Sequence, residues 1–420
     1  YIKYDSLEAE AVFVGYGFSI DTKEIQWNDY LKVDVKDKWV LILMGDPEPE
    51  EANSPYAQYA SERDKVITAK DNGAAGVLFV NGPIFDKGDK LISLNFDKTQ
   101  SNAGIPVIHL KRLLVDAFLK DISIEELEKR TNEALSPTSF EIKKKLKAST
   151  DVKQVRVETN NVIAYIEGNE KKDEVVILGA HWDHLGFGGP GSGSRVPDTT
   201  AVHYGADDNA SGVAGIIEIA EKLAYQKNLK RSVLVIAFGA EEMGLLGSNY
   251  YTNNPIFNLE NVKAMVNLDM IGRLKEDKSM MISGTGTSIQ GEELLSQLNS
   301  DSSFMLNMQP EGFGPSDHAS FYAKDIPVFF LSSGAHQDYH TPFDHPDSIN
   351  IDGTKVIADY AYELMLDLMN RDSSLTFQEA GPKQRASGGR RYKITLGIMP
   401  NFTSTENNGL GVDGIRKILD

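Results

Sequence analysis

Five places in the second half of the chain carry metal-binding side chains in one order: His181-Trp-Asp183, Asp207-Asp208-Asn209, Glu241-Glu242, Asp269 and Tyr339-His340. Each lies at or just after the end of an apolar run that reads as a buried strand. Hydrolysis of a peptide bond by metals makes three demands. Water must lose a proton near neutral pH, the scissile carbonyl must be polarised, and a base must carry a proton to the leaving amine. Two divalent cations about 3.5–4 Å apart meet the first two together. Such a pair needs a bridging carboxylate, with histidine and carboxylate ligands on each side. Imidazole with carboxylate favours zinc, and a chain without cysteine excludes thiolate sites.

The spacing assigns parts of this work. His181 follows the run Val175–Ala180, so its ring can leave the sheet edge. Asp183 can accept a hydrogen bond from that imidazole or fix the nearby backbone. Asp208 stands just before an amphipathic helix, where a turn can aim its carboxylate, and Asp207 competes for the same bridging place. Adjacent side chains on a turn diverge, so one of Glu241 and Glu242 can bind metal while the other serves as base. Asp269 ends a further strand, and His340 follows Tyr339 in a loop. Taken singly, a Glu-Glu pair is an ordinary solvated surface and Asp-Asp-Asn an ordinary helix cap. Five strand ends carrying ligand types in sequence are poorly explained that way.

The elements that must position these residues fall in two regions. From 8 to 145, strand-like runs at Ala11–Phe18, Trp39–Met44, Ala74–Val80 and Ile105–Leu110 surround one polar helical stretch, Ala57–Asn72. This predicts a small β-rich α+β module without chemistry, in which His109 is a packing residue. From 146 to 371, apolar strands at Val175–Ala180, Val233–Phe238, Lys263–Leu268 and Val328–Leu331 alternate with helices at Ser211–Tyr225 and Asp352–Leu368. Near-continuous apolar strands alternating with helices predict an α/β fold with a mixed, largely parallel sheet flanked by helices. Ligands gather beyond the carboxyl ends of such strands. A polar linker is expected over 372–391 and a new strand-rich segment over 392–420.

The 420 residues are enough for two or three domains. A net charge of −18 argues against nucleic acid, whose phosphates need a basic face, and against anionic membrane surfaces. No stretch approaches the length of a membrane span. The chain opens at Tyr1, with no initiator Met and no signal segment, and reads as a processed or trimmed form. Its lack of thiols fits an exported protein.

Several motifs together resemble the co-catalytic zinc aminopeptidases of clan MH. They are Gly179-Ala-His-Trp-Asp-His-Leu-Gly186, Gly205-Ala-Asp-Asp-Asn-Ala-Ser-Gly212, Phe238-Gly-Ala-Glu-Glu-Met-Gly-Leu-Leu-Gly-Ser248, Asn267-Leu-Asp-Met-Ile-Gly272, Ser316-Asp-His318 and Tyr339-His-Thr-Pro-Phe-Asp344. Secreted bacterial leucyl aminopeptidases belong to that family, and glutamate carboxypeptidase and transferrin receptor are relatives. Residues 8–145 resemble a protease-associated domain through Lys38–Gly45 and Ala69–Val80. Leu396–Met399 with Gly409–Gly414 resembles the opening of a PDZ domain.

The resemblance implies a zinc-exopeptidase fold and two zinc ions per chain. His181, Asp208 and Asp269 would hold one ion, and Asp208, Glu242 and His340 the other, with Asp208 bridging. Glu241 would be the general base and acid, Tyr339 would stabilise the oxyanion, and Asp183 would orient His181. It also implies a cis peptide after Asp208. Asp317, His318 and Asp344 would stand behind the ligands or face substrate, while His184, His203 and His345 would be loop residues. The expected activity is an aminopeptidase acting on peptides outside the cytoplasm. A non-catalytic receptor-like protein and a single-zinc glutaminyl cyclase-type transferase on the same fold are the alternatives. Carboxypeptidase action would need a basic pocket, for which Arg195 and Arg273 are the arginines near the motifs.

Overall fold

The runs around Trp39 and Val77 are apolar at nearly every position, which suits strands covered on both faces. The computed structural model describes residues 2–51, 53–92, 94, 103–153 and 155–383, with the backbone of 398–400 and 412–415. The chain divides into two units, Tyr1–Val157 and Glu158–Asp420.

The first unit runs β1 (Ile2–Phe13), β2 (Ser19–Asp21), β3 (Gln26–Asn28), β4 (Trp39–Leu43), α1 (Glu62–Asp71), β5 (Gly76–Val80), β6 (Val107–Leu110), α2 (Arg112–Leu119), α3 (Ile124–Ala134) and β7 (Phe140–Val152). Its sheet has the order β6-β5-β4-β1-β7, and β2 and β3 form a separate hairpin. Alternation along β4 sorts its side chains onto two faces. Trp39, Leu41 and Leu43 share a core with Val115 and Leu119 of α2 and Ile124 and Leu127 of α3. Val40 and Ile42 pack with Val66 and Ala69 of α1. Ser61 and Ser123 cap α1 and α3, each accepting a backbone N–H from the first turn.

Two expectations change here. Three helices cover the sheet rather than one, because α2 and α3 follow β6 directly with no break of composition. The expected boundary at 145 falls inside β7, which pairs with β1 in antiparallel register through Ala9 with Leu146 and Leu7 with Ala148 and on to Ile2 with Val152. Alternate positions of β7 are exposed, and its lysines read as the polar end of a domain.

The second unit runs β8 (Val162–Ile166), β9 (Lys171–His181), α4 (Gly212–Ala224), β10 (Arg231–Phe238), α5 (Leu246–Asn253), β11 (Val262–Leu268), β12 (Ser279–Ser283), α6 (Gly291–Leu298), β13 (Met305–Gln309), α7 (His318–Tyr322), β14 (Val328–Ser332) and α8 (Ile351–Asn370). One sheet of order β13-β12-β14-β11-β9-β10-β8 organises it. The inner strands β14, β11, β9 and β10 are mutually parallel. β8 joins β10, and β12 joins β14, in antiparallel sense. The sheet is thus mixed and largely parallel, with helices on both faces. Val176, Leu178 and Ala180 of β9 pack with Ile216, Ile219 and Leu223 of α4 and with Ile357, Leu364 and Met365 of α8. Val175 and Ile177 face the other way, toward Tyr251 of α5 and Phe321 and Tyr322 of α7. Each such aliphatic side chain contributes ~1.5–3 kcal/mol by leaving water.

The stretch expected as a linker is folded through 383. Leu375 is buried, Phe377 bridges Ser288, and the Tyr322 hydroxyl donates to Gly381 O at 2.7 Å. Beyond it, β15 (Ile398–Pro400) and β16 (Val412–Ile415) form an antiparallel pair. The rest of the segment expected to resemble a PDZ domain lies outside the described residues. Among the described residues, no helix is long and apolar enough to cross a membrane.

Candidate metal centre

Four parallel neighbours in one sheet open their carboxyl ends on one side, and the ligand-type residues lie there. His181 is the last residue of β9, and Asp269 directly follows β11. Glu241 and Glu242 follow β10, and His340 lies in the loop after β14. Asp208 belongs to the turn Ala206–Ser211 that leads into α4. The Asp208–Asn209 peptide bond is cis, as the resemblance implied. Ala240, Met270 and His340 take left-handed conformations at φ 55°, 57° and 56°. Such a φ is costly for a residue with a Cβ, and here each lies at or beside a ligand-type residue.

These ends converge. His181 Nε2 stands 3.2 Å from Asp208 Oδ1 and 3.6 Å from Asp269 Oδ2. His340 Nε2 stands 3.1 Å from Asp208 Oδ2 and 3.2 Å from Glu242 Oε2. Donor atoms around a four-coordinate zinc, with bonds near 2.0–2.1 Å, are separated by ~3.3 Å. Asp208 Oδ2 is buried without a hydrogen bond, although His340 lies so close. The donor sets are imidazole and carboxylate, and Asp208 is common to both. Those residues fit two zinc ions. Glu241 is buried beside them, its Oε2 4.0 Å from His181 Nε2.

The two histidines are held alike. His181 Nδ1 lies 3.0 Å from Asp183 O, and His340 Nδ1 3.1 Å from Gly193 O. A carbonyl at one ring nitrogen places the proton there and frees the other for a cation. The Asp183 carboxylate was expected to orient His181 but is 3.9 Å from Nδ1. It accepts instead from Glu241 N at 2.8 Å and Glu242 N at 3.2 Å. Asp183 therefore orients the histidine through its main chain and pins the glutamate turn through its side chain. Ser316 Oγ donates to Asp269 Oδ2 at 2.7 Å and accepts from Asn267 Nδ2 at 2.8 Å.

The structure separates Asp207 from Asp208. Asp207 Oδ1 accepts from Gly272 N at 2.6 Å and Ser211 Oγ at 2.9 Å, and its Oδ2 meets His336 Nε2 at 3.2 Å. It braces the turn, while Asp208 faces His181 and His340. Asp344 Oδ2 accepts the backbone N–H of both aspartates at 2.9 and 3.0 Å, and its Oδ1 pairs with Arg273 at 3.3 Å. That partner occupies one of the two arginines weighed for a substrate carboxylate. Asp317 and His318 are fully buried, which removes them from the substrate side.

Sequence reasoning missed two histidines. His336 braces Asp207 from a distant segment, and nothing local marks it. His184, expected as a loop residue, places Nδ1 2.8 Å from Glu242 Oε1. Its signal was visible: it stands three residues after His181, on the same strand end. His203 and His345 remain in loops, where His203 meets Ser194 Oγ at 2.8 Å and His345 meets Asp347 at 3.3 Å. Tyr339 stacks on His340, with centroids 3.8 Å apart.

Burial and charge oppose each other throughout. For Asp208, burial favours the neutral acid, yet His181 and His340 outweigh it and hold the carboxyl below its usual range. Burial likewise opposes ionisation of Glu242, and hydrogen bonds from His184 and His340 overcome it. Burial pulls His181 down, but Asp269 and Asp208 raise it well above the usual imidazole value. Burial also opposes the charge on His340, which Asp208 and Glu242 raise to about 10. Glu241 is pushed up to about 9, chiefly by burial, with Asp269, Asp317 and Glu242 adding to it. Carboxylates packed this closely call for positive charge among them.

The sequence profile of peptidase family M28 matches residues 161–365. Residues 161–365 belong to peptidase family M28. A probable leucine aminopeptidase 2 of Arthroderma benhamiae is 33% identical to this chain over 187 residues, which are 42% of this chain and 34% of that protein. An uncharacterised Escherichia coli protein, YfbL, is 29% identical over 222 residues, 46% of this chain and 66% of that one. The chain thus spans about a third of the first relative's length (34%). The solved aminopeptidase of Aneurinibacillus sp. strain AM-1 is 23% identical at a TM-score of 0.47, covering 89% of this chain and 76% of that one.

Proposed function

We propose that this chain is a zinc-dependent aminopeptidase that releases N-terminal residues from peptides, with two zinc ions per chain. One observation carries the reading: His181 and Asp269 meet Asp208 on one side, His340 and Glu242 meet it on the other, and a further buried carboxyl, Glu241, stands 4.0 Å from His181 Nε2. His181, Asp208 and Asp269 would hold one ion, and Asp208, Glu242 and His340 the other. When bound, such a pair polarises the scissile carbonyl and makes water acidic near neutral pH. The relative named as a leucine aminopeptidase supports the choice of peptide amino termini.

The chain's own residues supply the rest. Glu241 takes the proton of the attacking water and delivers it to the leaving amine. Burial and the surrounding carboxylates push the Tyr339 phenol far above its usual value, so it stays a donor and can hydrogen-bond the oxyanion. Asp183 fixes the main chain of Glu241 and Glu242, which keeps base and ligand pointed apart. The Tyr1–Val157 unit holds no metal-ligand group among its described residues and fits a non-catalytic, protease-associated role.

The test is elemental analysis of protein purified without added metal or chelator, with the same sample assayed on leucyl-, alanyl- and aspartyl-p-nitroanilide. Nearly two zinc ions per chain and chelator-sensitive dye release are expected. One zinc without release would favour cyclase chemistry on glutaminyl peptides. No bound metal even after zinc addition would leave a binding protein.

A further inference from the structure

We propose that His184 is a positioning residue at the second metal position, donating its Nδ1–H to Glu242 Oε1 so that only Oε2 of that carboxylate faces the cation. The inference rests on the two-zinc reading above. His184 Nδ1 lies 2.8 Å from Glu242 Oε1, while His340 Nε2 lies 3.2 Å from Glu242 Oε2. One carboxylate is therefore engaged from both sides by different imidazoles, whose ring centroids are 5.9 Å apart.

The obvious alternative is that His184 is itself a ligand, since its nitrogen, Asp208 and Glu242 form a compact donor group. Two features argue against this. His181 and His340 each set one ring nitrogen against a carbonyl and the other toward the carboxylates. His184 has no such outer partner: its Nε2 is buried without a hydrogen bond. As a ligand through Nδ1, it would carry a proton on Nε2 with nothing to accept it. As a donor through Nδ1, it leaves Nε2 as a bare acceptor, the cheaper unpaired state in a buried place. The second feature is distance. A separation of 2.8 Å is a charge-assisted hydrogen bond, shorter than the ~3.3 Å between donor atoms sharing a zinc. The ring packs against the main chain at Gly205, where a Cβ would stand 2.6 Å from its Cγ, so the place it occupies exists only because that residue is glycine. A carboxylate confined to one oxygen leaves one more place on the cation than a carboxylate bound by two.

The experiment strips the whole protein of metal and titrates it with Co2+ by calorimetry, alongside His184→Phe and His184→Asn. Phenylalanine fills the space without a donor, and the asparagine amide N–H stands where Nδ1–H stood. X-ray absorption at the cobalt edge counts imidazoles per cation. The wild-type protein should take two ions. His184→Phe should weaken one of them by about 10–100-fold and leave the other unchanged. His184→Asn should restore that affinity with the wild-type imidazole count. Equal binding by wild type and His184→Phe would overturn the proposal. So would the loss of one imidazole per chain in His184→Asn, which would make His184 a ligand. Should His184→Phe fail to fold, His184→Asn decides alone. Fewer than two ions in the wild type would overturn the two-zinc reading and this inference with it, whatever stands at position 184.

Discussion

At the scale of single residues, the centre is a set of acids and bases that cannot all hold their preferred charge. Glu241 is the sharpest case. Buried among carboxylates, it is pushed up to about 9, and cations beside it would bring it down again. Glu241→Gln keeps the shape and removes the proton acceptor. Turnover should fall by ~10²–10⁴-fold, the usual worth of a general base, while elemental analysis still finds the wild-type metal content. Near-normal activity in that variant would remove Glu241 from the role of base. The histidines predict a pH effect whose sign is fixed. Both His181 and His340 are raised above their ordinary value, so each carries a proton at pH 7 without metal. A cation binds only the deprotonated ring, so metal uptake must expel both protons. Apparent affinity should therefore fall on acidification, about tenfold per pH unit for each proton expelled. Calorimetric titrations in buffers of different ionisation enthalpy count those protons, and a value near zero would show that the rings are neutral beforehand.

At the scale of elements, the question is how a strand end aims a side chain. The start of α4 lies so close to the end of β11 that a Cβ at Gly212 would stand 2.2 Å from Asn209 Oδ1 and 2.5 Å from Leu268 O. Asn209 ties the two elements together, accepting from Gly212 N and Met270 N and donating to Leu268 O. Gly212→Ala should cost ~1–3 kcal/mol of stability, read by denaturant unfolding, and should lower metal content because Asp208 rides on the same turn. Unchanged stability would mean that the turn yields freely. Much at this scale was legible in advance. The inner strands were visible as unbroken apolar runs, since two covered faces demand apolar residues at every position. The ligand-type residues were visible because each follows such a run. Less legible were β12, β13 and α6, whose mixed composition carries no single period. The roles of Asp207, His336 and His184 were hidden for another reason. They depend on which of several nearby carboxylates an atom faces, and only the packed turn decides that. The carbonyl of Gly193, which holds His340, leaves no trace in residue type at all.

At the scale of the whole molecule, the metals should act as a cross-link among separate segments of the second unit. A ligand present at a hundred times its dissociation constant stabilises the form that binds it by ~2.7 kcal/mol. Removing metal with a chelator should lower the unfolding temperature of that unit by ~5–10 °C. The Tyr1–Val157 unit, with no donor group among its described residues, should unfold at the same temperature either way. A shift of both transitions together would mean that the two units unfold as one. The order of the strands has a consequence for synthesis. In the sheet, β11 lies between β9 and β14, yet β14 leaves the ribosome last of the three, and His340 follows it. A growing chain that ends before β14 carries His181, Asp208, Glu242 and Asp269 but lacks both that strand and His340. Under the proposed two-zinc reading, such a fragment lacks a ligand of the second ion and should not hydrolyse peptides. On that reading the strand order itself would hold back hydrolysis until the segment after β14 is made.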